Sequence, residues 1–171
     1  MKKLLLLITL IFTTATFAQV EKPSEGTIYE VSFMPNFEGT TQFALSNGHF
    51  VRRTLDGDSA TRWKAQFSYV DIDGVDDADM ALAVMYGKEK HHAGSDRLAT
   101  YTGWQAGLEY EDVGGEDSTG LMGGVFVGAN YYIANNVYMG VEMNYNLSIG
   151  EEVTSLGPGT VTGMFTLGFK M

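Results

Sequence analysis

Cysteine is absent from this chain of 171 residues. Disulfide bonds, thiolate metal sites, thiol catalysis and a cysteine-linked acyl anchor are therefore excluded, and stability must come from packing and backbone pairing. Basic residues are also few, since 11 lysines and arginines stand against 21 aspartates and glutamates, for a net charge of −10. A protein with this balance offers no electrostatic footprint for nucleic acid.

Long apolar runs and proline are the other shortages. No segment beyond the N-terminus contains 18 consecutive apolar residues, which excludes transmembrane helices there. There are only 3 prolines against 21 glycines, and 12% of the residues are aromatic. This composition argues against disorder and is typical of many long strands, with glycine where interior space is tight.

The first 18 residues have the three-part layout of a secretory signal peptide. Lys2 and Lys3 precede the apolar run Leu4–Phe12, and mostly small residues follow up to Ala18. We predict cleavage before Gln19, which leaves residues 19–171 as a single domain. The alternative is an N-terminal membrane anchor, but an apolar core of about nine residues is well short of the roughly twenty that a spanning helix needs.

The clearest periodic stretch is Val137–Ile149, in which every second residue is apolar and the residues between are mostly polar or small. Successive side chains of a strand point to opposite faces, so the pattern predicts one apolar and one hydrophilic face. A strand of this length spans about 43 Å, or about 33 Å along the membrane normal at a tilt near 40°. That is enough to cross an apolar band about 25 Å tall.

Seven further segments continue the alternation. They are Thr27–Met34, Thr41–Arg53, Thr61–Val70, Met80–Tyr86, Ala99–Tyr110, Leu121–Ile133 and a last strand from Val161 to Met171. No connection has room for a crossover helix, so neighbouring strands should be antiparallel. We predict an all-β fold, an eight-stranded antiparallel up-and-down transmembrane β-barrel. Asn47–Gly48 leaves one register open, because it is either a bulge or a sign of poor pairing.

The predicted connections alternate in kind. Tight or basic turns are expected at Leu55–Ala60, at Lys88–Arg97 and at Ala134–Asn136, whereas acidic or longer loops are expected at Asp71–Asp79, Glu111–Thr119 and Gly150–Gly159. In bacterial barrels the short turns face the periplasm and the longer loops face outside. Aromatic residues near both ends of the strands suit the girdles found at membrane interfaces.

Several segments resemble a known family. They are Phe17-Ala18-Gln19, the run from Gly94 to Gly107, the segment Ala129–Gly140 and the aromatic-rich last strand. Together they are similar to the small outer-membrane β-barrel proteins of Gram-negative bacteria, with the layout of the OmpA/OmpX barrels. The resemblance covers essentially all of residues 19–171. It implies an outer-membrane location, with lipid, lipopolysaccharide and the barrel assembly machinery as partners, and leaves the acidic loops for an extracellular partner.

Alternate residues of a strand form two sets, called parities here, of which the hydrophilic one is predicted to face inward. This inward parity carries charges of both signs. Glu109 and Glu142 should face Arg62 and Lys64, with Lys170 as a further candidate. A buried carboxylate is costly alone, so we expect these groups to pair across the lumen. The pairing would form either a salt-bridged plug or a path for protons or ions. Eight strands leave an interior that side chains can fill, which argues against a general pore.

Metal binding and catalysis have weak candidates. Five aspartates could share divalent cations with lipopolysaccharide phosphates, or could simply solubilise their loop: Asp71, Asp73, Asp76, Asp77 and Asp79. They lack the order of an EF-hand. His91 and His92 are adjacent and would point apart on a strand, and no Gly-x-Ser-x-Gly accompanies His49. We therefore expect no catalytic residue, no dedicated metal site, no cofactor and no enzymatic activity.

The resulting prediction is an integral outer-membrane protein with a structural or surface-interaction role. The alternative is a soluble periplasmic or secreted barrel that binds an apolar ligand, as lipocalins do. The direction of the two parities separates these hypotheses, because a lipocalin-like barrel places its apolar residues inside. If Met139, Val141 and Met143 clustered at the centre of the molecule, the ligand carrier would be favoured.

Overall fold

The computed structural model describes residues 20–33, 48–70, 79–92, 94–113, 115–150 and 160–171. These residues form eight strands: β1 Glu25–Phe33, β2 Gly48–Asp56, β3 Ser59–Val70, β4 Asp79–His92, β5 Leu98–Val113, β6 Glu116–Ala134, β7 Val137–Gly150 and β8 Thr160–Lys170. The predicted signal peptide, residues 1–18, and residues 41–47 of the second predicted strand lie outside the described residues.

The strands close into a barrel in sequence order. Each strand pairs antiparallel with its neighbours along the chain, and β8 returns to pair with β1. The prediction of an all-β, closed, eight-stranded antiparallel barrel is confirmed. No helix in the described ranges has the length and apolar character needed to cross a membrane.

The two parities of the strands face opposite sides of the wall. On β7, Met139, Val141 and Met143 are 55%, 48% and 55% exposed on the outside, whereas Glu142 and Asn144 are each 1% exposed inside. The same division holds on β3, where Trp63 is exposed and Arg62 is buried. The apolar parity therefore lines the exterior and the hydrophilic parity lines the lumen, as the alternation predicts.

The prediction that Lys88–Arg97 is a basic turn is wrong. β4 continues to His92 and pairs with β5 as far as His92 opposite Thr100, so only residues 93–97 connect the two strands. At Lys88 the outward residues change from apolar to cationic while the backbone ladder continues. The apolar alternation that predicts the strand therefore ends before Lys88, although backbone pairing with β5 continues to His92.

The predicted acidic loop Glu111–Thr119 is also wrong. β5 extends to Val113, and β6 begins at Glu116, with these two residues directly paired. The acidic residues of this segment thus stand on a hairpin that lengthens the barrel wall. The polar composition of this segment is typical of a loop. Backbone hydrogen bonds between β5 and β6 nevertheless continue through it, because they do not depend on the side chains.

The predicted turn Leu55–Ala60 is tighter than expected. Leu55 pairs with Ala60, and Asp56 pairs with Ser59, which leaves Gly57 and Asp58 as the turn. Gly57 has a φ of 59°, in the left-handed region that glycine adopts without steric cost. β2 pairs with both neighbours without a register shift from residue 48 onward, so its described part contains no bulge.

The barrel end that carries the turns after β2, β4 and β6 is called the turn end here, and the opposite end the loop end. An apolar layer closes the turn end from inside: Val20, Ile28, Leu55, Ala60, Ala99, Tyr132 and Tyr138. The segment before β1 contributes Val20 to this layer. It is held to the turn end by backbone hydrogen bonds, in which the Lys22 amide donates to the Asp96 carbonyl at 2.9 Å and the Gly57 amide donates to the Ser24 carbonyl at 3.0 Å.

Candidate functional site

A layer of charged side chains crosses the lumen beside the apolar layer. Its members, named the lumen charge cluster here, are Glu30, Arg53, Arg62, Glu89 and Glu142, and all are at most 3% exposed. They come from β1, β2, β3, β4 and β7, and each occupies an inward position of its strand. The barrel closure therefore brings together charges that are far apart in sequence.

Arg53 is the centre of the lumen charge cluster. Its Nε donates to Glu89 Oε1 at 2.7 Å, Nη1 donates to Glu30, and Nη2 donates to Glu142 Oε2 at 3.2 Å. Its guanidinium also lies 4.7 Å from the centre of the Tyr101 ring. One cation thus contacts three buried carboxylates, as the fork of five guanidinium donors permits.

Arg62 makes the second set of ion pairs. Its Nη1 and Nη2 donate to the two oxygens of Glu142 at 2.8 and 3.0 Å, in a bidentate arrangement. Nη1 also lies 3.3 Å from Glu89 Oε1, and the guanidinium sits 4.1 Å from the centre of the Phe126 ring. Two arginines consequently share two of the three carboxylates, so the pairs form one network.

Two tyrosines complete the network and fit against glycines. The Tyr101 hydroxyl donates to Glu142 Oε2 at 3.0 Å, and the Tyr138 hydroxyl donates to Glu30. Ring atoms of Tyr101 occupy the space that a Cβ would need at Gly128 on the neighbouring strand, and Tyr138 does the same at Gly168. The absence of a side chain at these glycines lets a large ring lie directly against the backbone of the neighbouring strand.

The lumen on the loop side of this cluster contains several buried polar side chains beside apolar ones such as Met85. Lys64 and His49 are 2% and 4% exposed there, and the Gln105 amide donates to Asn146 Oδ1 at 3.0 Å. Both ring nitrogens of His49 and the Asn144 amide nitrogen are buried without a hydrogen-bond partner among the described residues. Buried groups of this kind normally bind water, so this part of the lumen suits hydration and not an apolar ligand.

Chemically, the lumen charge cluster is a neutralised block. Its three carboxylates face two guanidinium groups, and Lys64 supplies a third positive charge in the same lumen. Burying charges is expensive unless each is paired and hydrogen-bonded, and here every carboxylate of the cluster has an arginine partner. The arrangement fills the cross-section with mutually restrained side chains.

The residues predicted for the lumen network are only partly together. Arg62, Lys64 and Glu142 lie in the buried lumen, as described above. Glu109 lies toward the loop end of β5, opposite Ala83 and Gly120, and Lys170 lies at the end of β8. Neither makes an ion pair within the described part of the chain.

Sequence reasoning missed three members of the network. Arg53 ends the predicted strand Thr41–Arg53, whose register the sequence does not determine. Glu89 lies within Lys88–Arg97, the segment that the sequence predicts to be a basic turn. Glu30 lies on the hydrophilic face of the alternating segment Thr27–Met34, but nothing local in the sequence indicates its partner. The signal that could have found Glu89 is the parity of β4, since Ala83, Met85 and Glu89 all occupy inward positions.

Among the other predicted sites, His91 contacts this cluster through Glu89. Asp71, Asp73, Asp76 and Asp77 lie outside the described residues, and Asp79 is the first residue of β4. His91 Nε2 lies 3.2 Å from Glu89 Oε2, and His92 Nε2 lies 2.8 Å from Thr102 Oγ1. Among the described residues, no group of three or more His, Asp or Glu side chains could hold a metal ion.

Comparison with known proteins yields no relative. No family model matches the chain, and neither a curated protein nor a solved structure matches it.

Proposed function

We propose that the chain, after removal of residues 1–18, is an integral outer-membrane β-barrel protein with a structural or surface-interaction role. The observation that carries this proposal is the continuous apolar exterior. On β7 alone, residues from Met139 to Ile149 alternate so that every outward side chain is apolar and at least 37% exposed. In water such a wall would be a very large exposed apolar patch, whereas lipid covers it without cost.

The closed ring supports the same proposal. Every strand has two hydrogen-bonded neighbours, so no open edge remains in the sheet. A spanning structure must satisfy its backbone groups internally, and a closed barrel is one of the two ways to do so. Aromatic rings also collect on the outer wall toward the turn end, where Trp63 and Tyr86 are 5.1 Å apart and Tyr86 and Trp104 are 6.4 Å apart. Such rings suit a membrane interface.

The filled lumen argues for a role without general transport. The lumen charge cluster and its tyrosines occupy the barrel cross-section, and the apolar layer lies between it and the turn end. No catalytic role is proposed for these side chains. An interaction role would fall to the loop end, where the β5–β6 hairpin carries Glu111, Asp112, Glu116 and Asp117. Lipopolysaccharide phosphates, through shared divalent cations, and a basic extracellular partner are the proposed contacts there.

The lipocalin-like alternative has less support. A carrier of apolar ligands needs an apolar cavity, yet the largest fully buried side chains include Arg53, Arg62 and Lys64. Its exterior would also be hydrophilic, whereas here Leu108 and Val125 are 65% and 56% exposed. Both parities therefore point away from that function.

Fractionation of cells that express the full chain tests the proposal. The protein should remain in the membrane pellet after carbonate washing, and its folded form should migrate differently from the boiled form on SDS gels. Mass spectrometry of the purified protein should give an N-terminus at Gln19. Recovery of the whole protein in the soluble fraction would reject the membrane proposal and favour the ligand carrier.

A further inference from the structure

The outer wall of the barrel carries a groove that the proposed function does not require. It has a volume of about 740 Å³ and crosses β4, β5, β6 and β7. One rim is the row Lys88, Trp104, Val125 and Tyr145, and the other is the row Lys90, Thr102, Val127 and Met143. The floor is the backbone of the intervening residues, whose side chains point into the lumen. This feature is called the wall groove below.

The chemistry of the wall groove is divided between its two ends. Lys88 and Lys90, both exposed, stand on β4 at one end. Farther along, the rims are lined by Val125, Val127 and Met143, which are 56%, 51% and 55% exposed. A cationic end joined to an apolar trough matches a molecule with one anionic head and a hydrocarbon tail. A volume of this size is within the range of pockets that hold small molecules.

The wall groove is also inclined as a lipid chain would need. Lys90 lies two residues before the end of β4 at His92, whereas Met143 lies six residues after the start of β7 at Val137. The groove therefore climbs from the turn end toward the middle of the wall. Across four strands it extends about 14 Å. At a strand tilt near 40°, about 9 Å of this length lies along the membrane normal, which is about a third of an apolar core about 30 Å thick.

The two ammonium groups are available to an anion. Lys88 forms no ion pair with any described residue, and Lys90 Nζ lies 3.3 Å from Asp58 Oδ2 in a pair whose side chains are 62% and 83% exposed. An exposed pair of this kind is weak and exchanges readily. Removal of Lys2 and Lys3 with the predicted signal peptide changes the net charge from −10 to −12, so the overall field of the barrel repels anionic lipid. Attraction of such a lipid would have to be local.

We propose that the wall groove binds one anionic glycerophospholipid. Its phosphate lies between the ammonium groups of Lys88 and Lys90, and one acyl chain runs along Val125, Val127 and Met143. Trp104 packs beside the boundary between head and chain, where an indole is commonly found. This inference rests on the proposed membrane location, because only an inserted barrel meets bilayer lipid.

The two tryptophans of the chain make a direct test possible, since the variant W63F leaves Trp104 in the groove as the only indole. W63F is inserted into phosphatidylcholine vesicles that contain equal mole fractions of acyl-brominated phosphatidylglycerol or acyl-brominated phosphatidylcholine. Fluorescence quenching of Trp104 then reports the local occupancy of each lipid. Two lysines near an anionic headgroup, at about 1 kcal/mol each, predict a preference of about thirtyfold for phosphatidylglycerol.

Charge variants in the W63F background identify the site. K88Q/K90Q should reduce the preference to within about twofold, and K88R/K90R should retain it. The matched control K22Q/R97Q removes two charges from the same end of the barrel, off the wall, and should leave the preference unchanged. Raising the salt concentration should weaken the preference of W63F itself, and a preference insensitive to salt would overturn the inference even if K88Q/K90Q folds poorly.

The outcomes separate this inference from the proposed function. If W63F inserts, with a heat-dependent gel shift, but both lipids quench equally, the groove inference is overturned and the membrane proposal stands. A preference that K88Q/K90Q does not reduce also overturns it. Shielding of Trp104 from both lipids would indicate that a second copy covers the groove, and would reject the lipid. Failure of W63F and of the unmodified chain to insert would reject both proposals.

Discussion

At the scale of single residues, the fold depends on charges that cannot be left alone. Glu142 receives two hydrogen bonds from Arg62 and one each from Arg53 and Tyr101. Removing one partner from such a pair leaves a buried charge unpaired. The free-energy cost of that unpaired charge exceeds the net stabilisation that the intact pair contributes. The arginines of the lumen are therefore structural residues whose loss should be felt by the whole barrel.

A double-mutant cycle on Arg62 and Glu142 tests this view. R62M leaves Glu142 with fewer donors and should lower the free energy of unfolding by about 3–5 kcal/mol. The double variant R62M/E142Q should be more stable than the sum of the single effects implies, because no uncompensated carboxylate remains. Urea unfolding in vesicles, monitored by tryptophan fluorescence, gives the free energies of unfolding of R62M, E142Q and R62M/E142Q relative to the unmodified barrel.

The exposed pair between Lys90 and Asp58 is the control for this cycle. D58N should change stability by less than about 1 kcal/mol, because exposed pairs contribute little. Additive effects of R62M and E142Q would contradict the proposed coupling.

A second residue-scale prediction concerns the contact between Tyr101 and Gly128. G128A places a methyl group where the ring of Tyr101 now lies, so the ring must move and its hydrogen bond to Glu142 should be lost. We expect destabilisation of about 1–3 kcal/mol from overpacking. Y101F/G128A should recover little, because the ring remains, whereas Y101A/G128A should relieve the clash. The same unfolding assay ranks these variants, and equal stability of G128A and the unmodified barrel would contradict the prediction.

At the scale of elements, the strands end where the backbone turns and not where the apolar pattern stops. β4 continues through Lys88 and Lys90, and β5 continues past Tyr110 to Val113. Alternation of hydropathy reports only the part of a strand that faces an apolar exterior. The hydrogen-bonded ladder persists as long as the neighbouring strand is present, whatever the side chains are.

The turn between β6 and β7 gives the element-scale prediction. Asn136 has a φ of 68°, a conformation in which asparagine and glycine are tolerated and other residues are strained. N136A should therefore destabilise the barrel by about 1 kcal/mol, and N136G should be neutral or slightly stabilising. Unfolding midpoints of the two variants provide the comparison. The neighbouring change N135A is the control, and destabilisation by N136G as large as that by N136A would show that φ is not the cause.

At the scale of the whole molecule, one alternation produces two surfaces of opposite character. Outward positions such as Val84 and Leu108 are apolar and exposed, while inward positions such as Met85 and Gln105 are buried. The barrel is therefore inverted relative to a water-soluble one. Its stability should depend on the medium that covers the outer wall. The apolar exterior belongs to the closed barrel as a whole and not to any one strand.

An outward charge at mid-height tests this inversion. Val84 lies near the middle of β4, between Ala65 and Leu108 on the neighbouring strands. V84R should lower stability in bilayers by about 2–4 kcal/mol, as expected for arginine at the midplane of a barrel wall. N135R, in the turn beyond the wall, should have little effect. Refolding yields and urea midpoints in vesicles measure both, and equal tolerance of the two substitutions would contradict a lipid-covered wall.

By itself, the sequence determined the strand number, the antiparallel order and the direction of the two parities. These are local properties, because a period of two and short polar connections can be recognised within each segment. The strand ends at His92 and Val113, and the partners of Arg53 and Glu89, were decided only by the tertiary structure. A ladder extends according to its neighbour, and ion pairs across a lumen depend on the register of strands distant in sequence. Barrel closure sets both, and no segment contains that information alone.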